Sequence, residues 1–200
     1  TLQDGKVVDG GWIVYGLGVI DFAGGTAVHI NAGAAGLALA IVLGKRFGFS
    51  KGITQPHNVP LTLLGVALLW FGWFGFNAGS ELAADGVASL AFINTLAAPV
   101  GAMVTWAIYE QVAHGKPTSI GVGSGAIAGL VAITPSCAYI DPVWALVLGA
   151  IVGVVCALAI ELKFVLGFDD SLDVVGIHLV GGIIGTLFIG LVGKGVGLFF

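Results

Sequence analysis

An all-α, polytopic membrane helix bundle is the fold this sequence predicts, on three observations. Apolar residues make up 58% of the chain and charged residues only 9%, against about 25% charged in soluble domains. The apolar residues gather in six runs, each long enough or nearly so to cross a hydrocarbon core of about 30 Å, which takes about 20 helical residues. The connectors between the runs alternate between basic and non-basic. One soluble core cannot bury this much apolar surface, so the bilayer is the expected solvent. Seven basic residues spread thinly through a chain of net charge −4 leave no nucleic-acid footprint.

The runs lie near 22–43, 60–80, 87–110, 118–134, 142–162 and 173–193, within one membrane domain covering 1–200. Pro60 stands where a first-turn proline starts the second helix. The fourth run is short, carries Gly121, Gly123, Gly125 and Gly129, and is stopped by Pro135. Polar and turn residues fill the connectors Lys51 to Asn58, Glu81 to Gly86, His114 to Thr118, and Gly167 to Ser171. The many glycines fit membrane helices, where small residues let backbones approach closely.

Orientation follows from the basic residues. Lys45, Arg46, Lys51, Lys116 and Lys163 follow the first, third and fifth runs, whereas Lys6 and Lys194 lie on the other side. The positive-inside rule puts the larger group in the cytoplasm and both ends of the chain outside. Lys45 and Arg46 also fit a patch for lipid headgroups. The chain has no initiator Met, opens on a polar stretch from Thr1 to Gly11, and stops just after an apolar run, so it is expected to be a fragment.

Ionisable residues inside a membrane span are costly and mark candidate functional sites. His29 and His178 are the two that fall well inside predicted runs. Each is followed by the same pattern, Gly33 and Gly36 after His29, Gly182 and Gly185 after His178. A shared H-x3-G-x2-G on opposed helices reads as the trace of an inverted repeat, an arrangement that places transporter sites near the midplane. Burial disfavours imidazolium, so both rings are expected to be neutral, each with one donor and one acceptor. Such a lining suits a small polar molecule or an ion stripped of a proton, and is a poor cage for a metal cation. His57 and His114 fall in connectors and receive no pore role. Cys137 and Cys156 lack metal-type spacing. No metal-ligand cluster or nucleophile–base pair points to an enzyme, and neither cofactor nor metal is expected.

Asp173, at the start of the last run, is expected to cap that helix. Asp21, eight residues before His29, reads as a buried cap that also biases the outer mouth towards cations. The second run ends in Trp73-Phe74-Gly75-Phe76-Asn77-Ala78-Gly79-Ser80. Its aromatic faces suit either a cation or an interfacial belt. Gly72, Gly75 and Gly79 are expected to mark a closely packed, inward-facing surface.

These stretches carry a resemblance. Asp21 to Gly33 (DFAGGTAVHINAG), Trp73 to Ser80 (WFGFNAGS) and Asp173 to His178 (DVVGIH) resemble signature stretches of the ammonium transporter (Amt/Mep/Rh) family. Pro56-His57-Asn58 and Ser124 to Leu130 match as well, and the likeness runs across the whole chain, closest to the microbial and plant Amt branch. The resemblance implies an eleven-helix subunit of a homotrimer in the plasma membrane, with this chain supplying about helices five to ten. It implies that His29 and His178 line the pore, that Ser80 belongs to an outer recruitment site, and that Phe76 is part of a gate beneath it. Trp73 is implied beside the pore, and Asp21 as the signature aspartate. The implied substrates are ammonium, ammonia and methylammonium; membrane lipid and a PII-type signal protein are the other implied partners. A membrane sensor or scaffold of the same fold is the competing reading. Helices one to four, the second gate phenylalanine and the recruitment tryptophan are expected to be missing, since Trp12 is not at the right spacing from Asp21.

Overall fold

A computed structural model describes residues 2–3, 6–7, 11–49 and 56–199; Lys51, counted above among the inner basic residues, lies outside them. Each apolar run folds as a helix. The π turn Gly25–Ile30 leads into α1 (Asn31–Leu43), followed by α2 (Val59–Ala78), α3 (Gly86–His114), α4 (Ser119–Ile133) and α5 (Pro142–Leu166), and the π turn Val175–Leu179 leads into α6 (Val180–Val192). Near the N-terminus, β1 (Leu2–Gln3) and β2 (Lys6–Val7) form a two-residue antiparallel ladder. The expected all-α bundle is thus preceded by a short hairpin, too small to change the fold class.

The helix starts are set by side chains that accept otherwise orphaned amides. Asn58 accepts from Leu61 at 2.9 Å, with Pro60 in the first turn of α2. Asp85 accepts from Val87 and Ala88 at the head of α3, and Thr118 accepts from Gly121 at the head of α4. Gly115 and Gly167, at φ +83° and +75°, end α3 and α5 in the left-handed conformation that glycine reaches without a Cβ clash.

Five helical stretches are long and apolar enough to span a membrane: Gly25–Leu43, Val59–Glu81, Gly86–His114, Pro142–Leu166 and Val175–Val192. The fifteen residues of α4 fall short, at about 22 Å for 1.5 Å per residue. Ten of them are buried, because α4 lies inside the packing of α3, α5 and α6. Small residues make that possible. A Cβ added at Gly129 would sit 2.6 Å from Cα of Pro99, and one at Gly149 would collide with the Ala98 carbonyl. The outer faces carry Leu39, Leu61, Phe71, Val112 and Leu187, all exposed, as a lipid-facing bundle requires.

A Cβ at Gly72, Gly75 or Gly79 would meet nothing within 4 Å among the described residues, of which α2 buries only Trp73 and Asn77. One expectation is corrected here. Lys163 does not lie in a loop. It occupies the last turn of α5, which runs one turn further than expected, and is buried against Asp173 and the Asp170 carbonyl. Close by, Arg46 grips Asp169 through its guanidinium at 2.6 and 2.8 Å and its backbone N–H at 2.7 Å. These bonds tie the end of α1 to the segment entering the last helix.

The Arg46 guanidinium holds the Asp169 carboxyl below the usual carboxylate range. The pair's stabilisation is therefore present at neutral pH and is lost only as pH falls through that depressed value. Detergent thermal unfolding is expected to show Asp169→Asn destabilised at pH 7, with the gap to wild type still open at about pH 4. In the same assay Gly149→Val is expected to destabilise by about 1–3 kcal/mol or more through overpacking, whereas Gly72→Ala on the open face of α2 is neutral or mildly stabilising.

Candidate functional site

The site begins at Asp21. Its Oδ1 accepts the N–H groups of Gly24 (3.0 Å) and Gly25 (2.6 Å), and its Oδ2 those of Thr26 (2.8 Å) and Ala27 (3.0 Å). One carboxylate thus satisfies four amides at a helix start, where the helix dipole also favours negative charge. Gly24 takes φ +119° to make this possible. The cap reading of Asp21 therefore describes its contacts, and both oxygens are engaged with backbone. The following π turn carries His29.

His29 is buried, with its imidazole between two helices and a turn. Its ring stacks on Trp73 at 5.2 Å and 18°, and lies 5.8 Å from the Phe76 ring and 5.4 Å from the His178 ring. Its Nε2 is 3.2 Å from Oγ1 of Thr134, and its Nδ1 is 3.3 Å from Nδ1 of His178. Trp73 Nε1, which can only donate, also reaches Thr134 Oγ1 at 3.0 Å.

The hydrogens can be assigned from the hydroxyl. Thr134 Oγ1 lies 2.8 Å from the Leu130 carbonyl. The Thr134 amide has turned to Val131, and Pro135 has no N–H, so the hydroxyl proton is what satisfies the buried Leu130 oxygen. Both lone pairs of Oγ1 then accept, one from Trp73 and one from His29. His29 therefore carries its proton on Nε2 and leaves Nδ1 bare. It follows that His178 donates from Nδ1 and has its own Nε2 bare.

The surrounding backbone holds this arrangement. Asn94 donates to the carbonyls of Cys137 and Ile140, both at 2.7 Å, pinning the turn that begins at Thr134. Phe22 donates to the Pro135 carbonyl at 3.1 Å, docking the Asp21 loop on the same turn. Gly33 lies flat against Leu179 and Gly182 against His29 and Ile30, so the two histidine helices are in backbone contact. Thr26 and Thr186 meet across them at 3.2 Å.

His178 also sits in a π turn, a wide turn found often at functional sites. Its helix start differs from expectation. Asp173 does not cap it. Asp173 lies at φ +57° and turns its carboxylate to Lys163, while Asp170 accepts the Val175 N–H at 2.6 Å. Asp170 stands eight residues before His178, as Asp21 stands eight before His29. Burial pushes the Asp173 carboxyl up, against the pull of Lys163.

The remaining expected residues are distributed as follows. Trp73 and Phe76 come to the His29 ring. Ser80, in the short 3-10 turn Gly79–Glu81, donates to the Phe76 carbonyl at 2.7 Å. His57 is exposed, and His114 pairs with Glu161 at 3.2 Å on the surface. Thr134 and Asp170 carry no expected role in the sequence. A threonine before the proline that ends an apolar run, and an aspartate repeating the eight-residue offset, were the available signals. Among the described residues no His/Cys/Asp/Glu group could hold a metal ion.

Asp21→Ala is expected to free four amides and to cost about 2 kcal/mol, the upper end for a lost cap. Hydrogen exchange checks this: the amides of Gly24 to Ala27 should lose protection before the middle of α1 does.

Residues 6–196 match the Ammonium Transporter Family. An ammonium transporter of Mycobacterium tuberculosis is 60% identical over 182 residues, covering 91% of this chain and 38% of that protein. Among solved structures, Saccharomyces cerevisiae Mep2 superposes with a TM-score of 0.85 at 41% identity, over 92% of this chain and 42% of that one. A structure described as a sensor Amt protein gives 0.86 at 35% identity, over 96% and 49%. The chain spans less than half the length of each of these relatives. It belongs to the Ammonium Transporter Family.

Proposed function

We propose that this chain forms the histidine-lined stretch of an ammonium-conducting path across a cell membrane. The observation that carries the reading is the His29–His178 pair, joined Nδ1 to Nδ1 at 3.3 Å beside Trp73 and Phe76. Outside the pair, the aromatic faces and the Ser80 hydroxyl hold the cation. Ammonium and potassium are alike in size, so radius discriminates poorly. Ammonium can lose a proton and potassium cannot. Past the aromatics the lining is apolar or neutral, where a bare charge is costly. The ion therefore gives its proton to water at the aromatics and passes as ammonia. The proton crosses separately along the histidine pair and water, so that one charge moves with each ammonium. His178 Nε2, left as an acceptor by the hydrogen-bond order, offers a partner to its N–H groups. Asp21 serves by fixing the turn that carries His29, and Asp170 by capping the turn that carries His178. The equal eight-residue offsets support an inverted-repeat relation between the two halves.

In this reading the protein is multi-pass in the plasma membrane, with both ends of the chain outside. The gathering of Lys45, Arg46 and Lys163 around the ends of α1 and α5 supports that orientation. Family membership supports a homotrimer and a PII-type signal protein as inner-face partner. A sensing role is the second reading, favoured by the structural likeness to a sensor Amt protein. Methylammonium uptake into proteoliposomes separates the two, because a non-transporting sensor or scaffold gives none.

The test is the full-length protein with both His29→Ala and His178→Ala. Its potassium-excluding ammonium current is expected to fall by about 100-fold, the scale of losing positioned proton-handling groups. Normal, potassium-excluding current in that variant would end the proposal.

A further inference from the structure

We propose that Lys163 is a positioning residue for His178, setting the height of its ring through the segment that leads into the π turn. The Lys163 ammonium, buried in the last turn of α5, donates to the Asp170 carbonyl at 3.1 Å and to the Asp173 carboxylate. Those two residues hold the first amides of the His178 turn. Asp170 accepts the Val175 N–H through its carboxylate at 2.6 Å, and Asp173 accepts the Ile177 N–H through its carbonyl at 2.9 Å. His178 is the next residue. One ammonium group thus anchors both residues on which the turn is hung, bonding the Asp170 carbonyl and the Asp173 carboxylate while the Asp170 carboxylate and the Asp173 carbonyl take the turn's amides.

Apolar packing cannot supply this register. Gly176 lies against Ile160, where a Cβ would fall 2.6 Å from its Cγ2, and Gly33 lies against Leu179 on the other side. Glycine contacts let backbones approach, but they present no knob that stops sliding. The left-handed φ of +57° at Asp173 is the conformation of a residue held by its surroundings. Arg46 and Asp169 fasten the same segment to the end of α1, so the strap fixes one histidine helix relative to the other. A buried ammonium group is costly without such partners.

The hydrogen-bond arm of the test stands without transport; the flux arm rests on the conduction reading. Lys163→Met alone leaves the Asp173 charge without its partner and is expected to lose folded protein. Lys163→Met/Asp173→Asn removes both charges and is the informative variant, with Lys163→Arg as the conservative one. Solid-state ¹⁵N spectra of histidine-labelled full-length protein are expected to show the Nδ1–Nδ1 hydrogen bond in wild type and Lys163→Arg, and its loss in the folded double variant. Methylammonium uptake by the double variant should fall about 10- to 100-fold in maximal rate with little change in KM, since the outer aromatics are untouched. A folded double variant that keeps the histidine signals overturns the proposal. Lost signals with normal uptake would uphold the positioning role and instead overturn the conduction reading.

Discussion

The Thr134 hydroxyl makes three hydrogen bonds at once, and the chemistry of the site depends on their direction. Its proton goes to Leu130, and its lone pairs take the N–H groups of Trp73 and His29. A hydroxyl has no further capacity, so the His29 tautomer is set by the geometry of a helix end. Because α4 stops at Pro135, the Leu130 carbonyl has no backbone partner and recruits the hydroxyl. A secondary-structure terminus thereby decides which nitrogen of a ring on another helix is bare. That choice orders the pair, from Thr134 through His29 to His178, without any ionised group inside it.

Small residues make the node reachable. The short α4 is buried because glycine and alanine let α3, α5 and α6 close around it, and the turn after it lies at the histidines because Asn94 holds it there. The two histidine helices touch through Gly33 and Gly182. Aspartates then fix the helix starts, Asp21 before His29 and Asp170 before His178. Charge is kept to the ends of the helices, where it caps or straps, and the interior between them is left neutral.

Much of this is legible in the sequence, for identifiable reasons. His29 and His178 stand out because ionisable residues are rare in apolar runs, and Asp21 because it precedes a run at capping distance. Pro60 lies in the first turn of α2, and Pro135 follows the end of α4, as punctuation by proline requires. Lys163 is misread because a basic residue near the end of an apolar run looks like the start of a loop; the helix continues because the Asp173 carboxylate and the Asp170 carbonyl satisfy the charge. Asp173 is misread for Asp170 because it stands nearer the run, and a cap depends on backbone conformation that sequence does not display. Thr134 is invisible because a threonine before proline reads as a helix stop. Its partners come from residues 61 and 105 positions away.

The most direct test of the central claim is the ¹⁵N spectrum of the His29 ring in wild-type protein at neutral pH. The account predicts a protonated Nε2 and a bare Nδ1, with the Nε2 signal altered by Thr134→Val and retained by Thr134→Ser. A His29 ring protonated on Nδ1, with Nε2 bare toward Thr134, would contradict it.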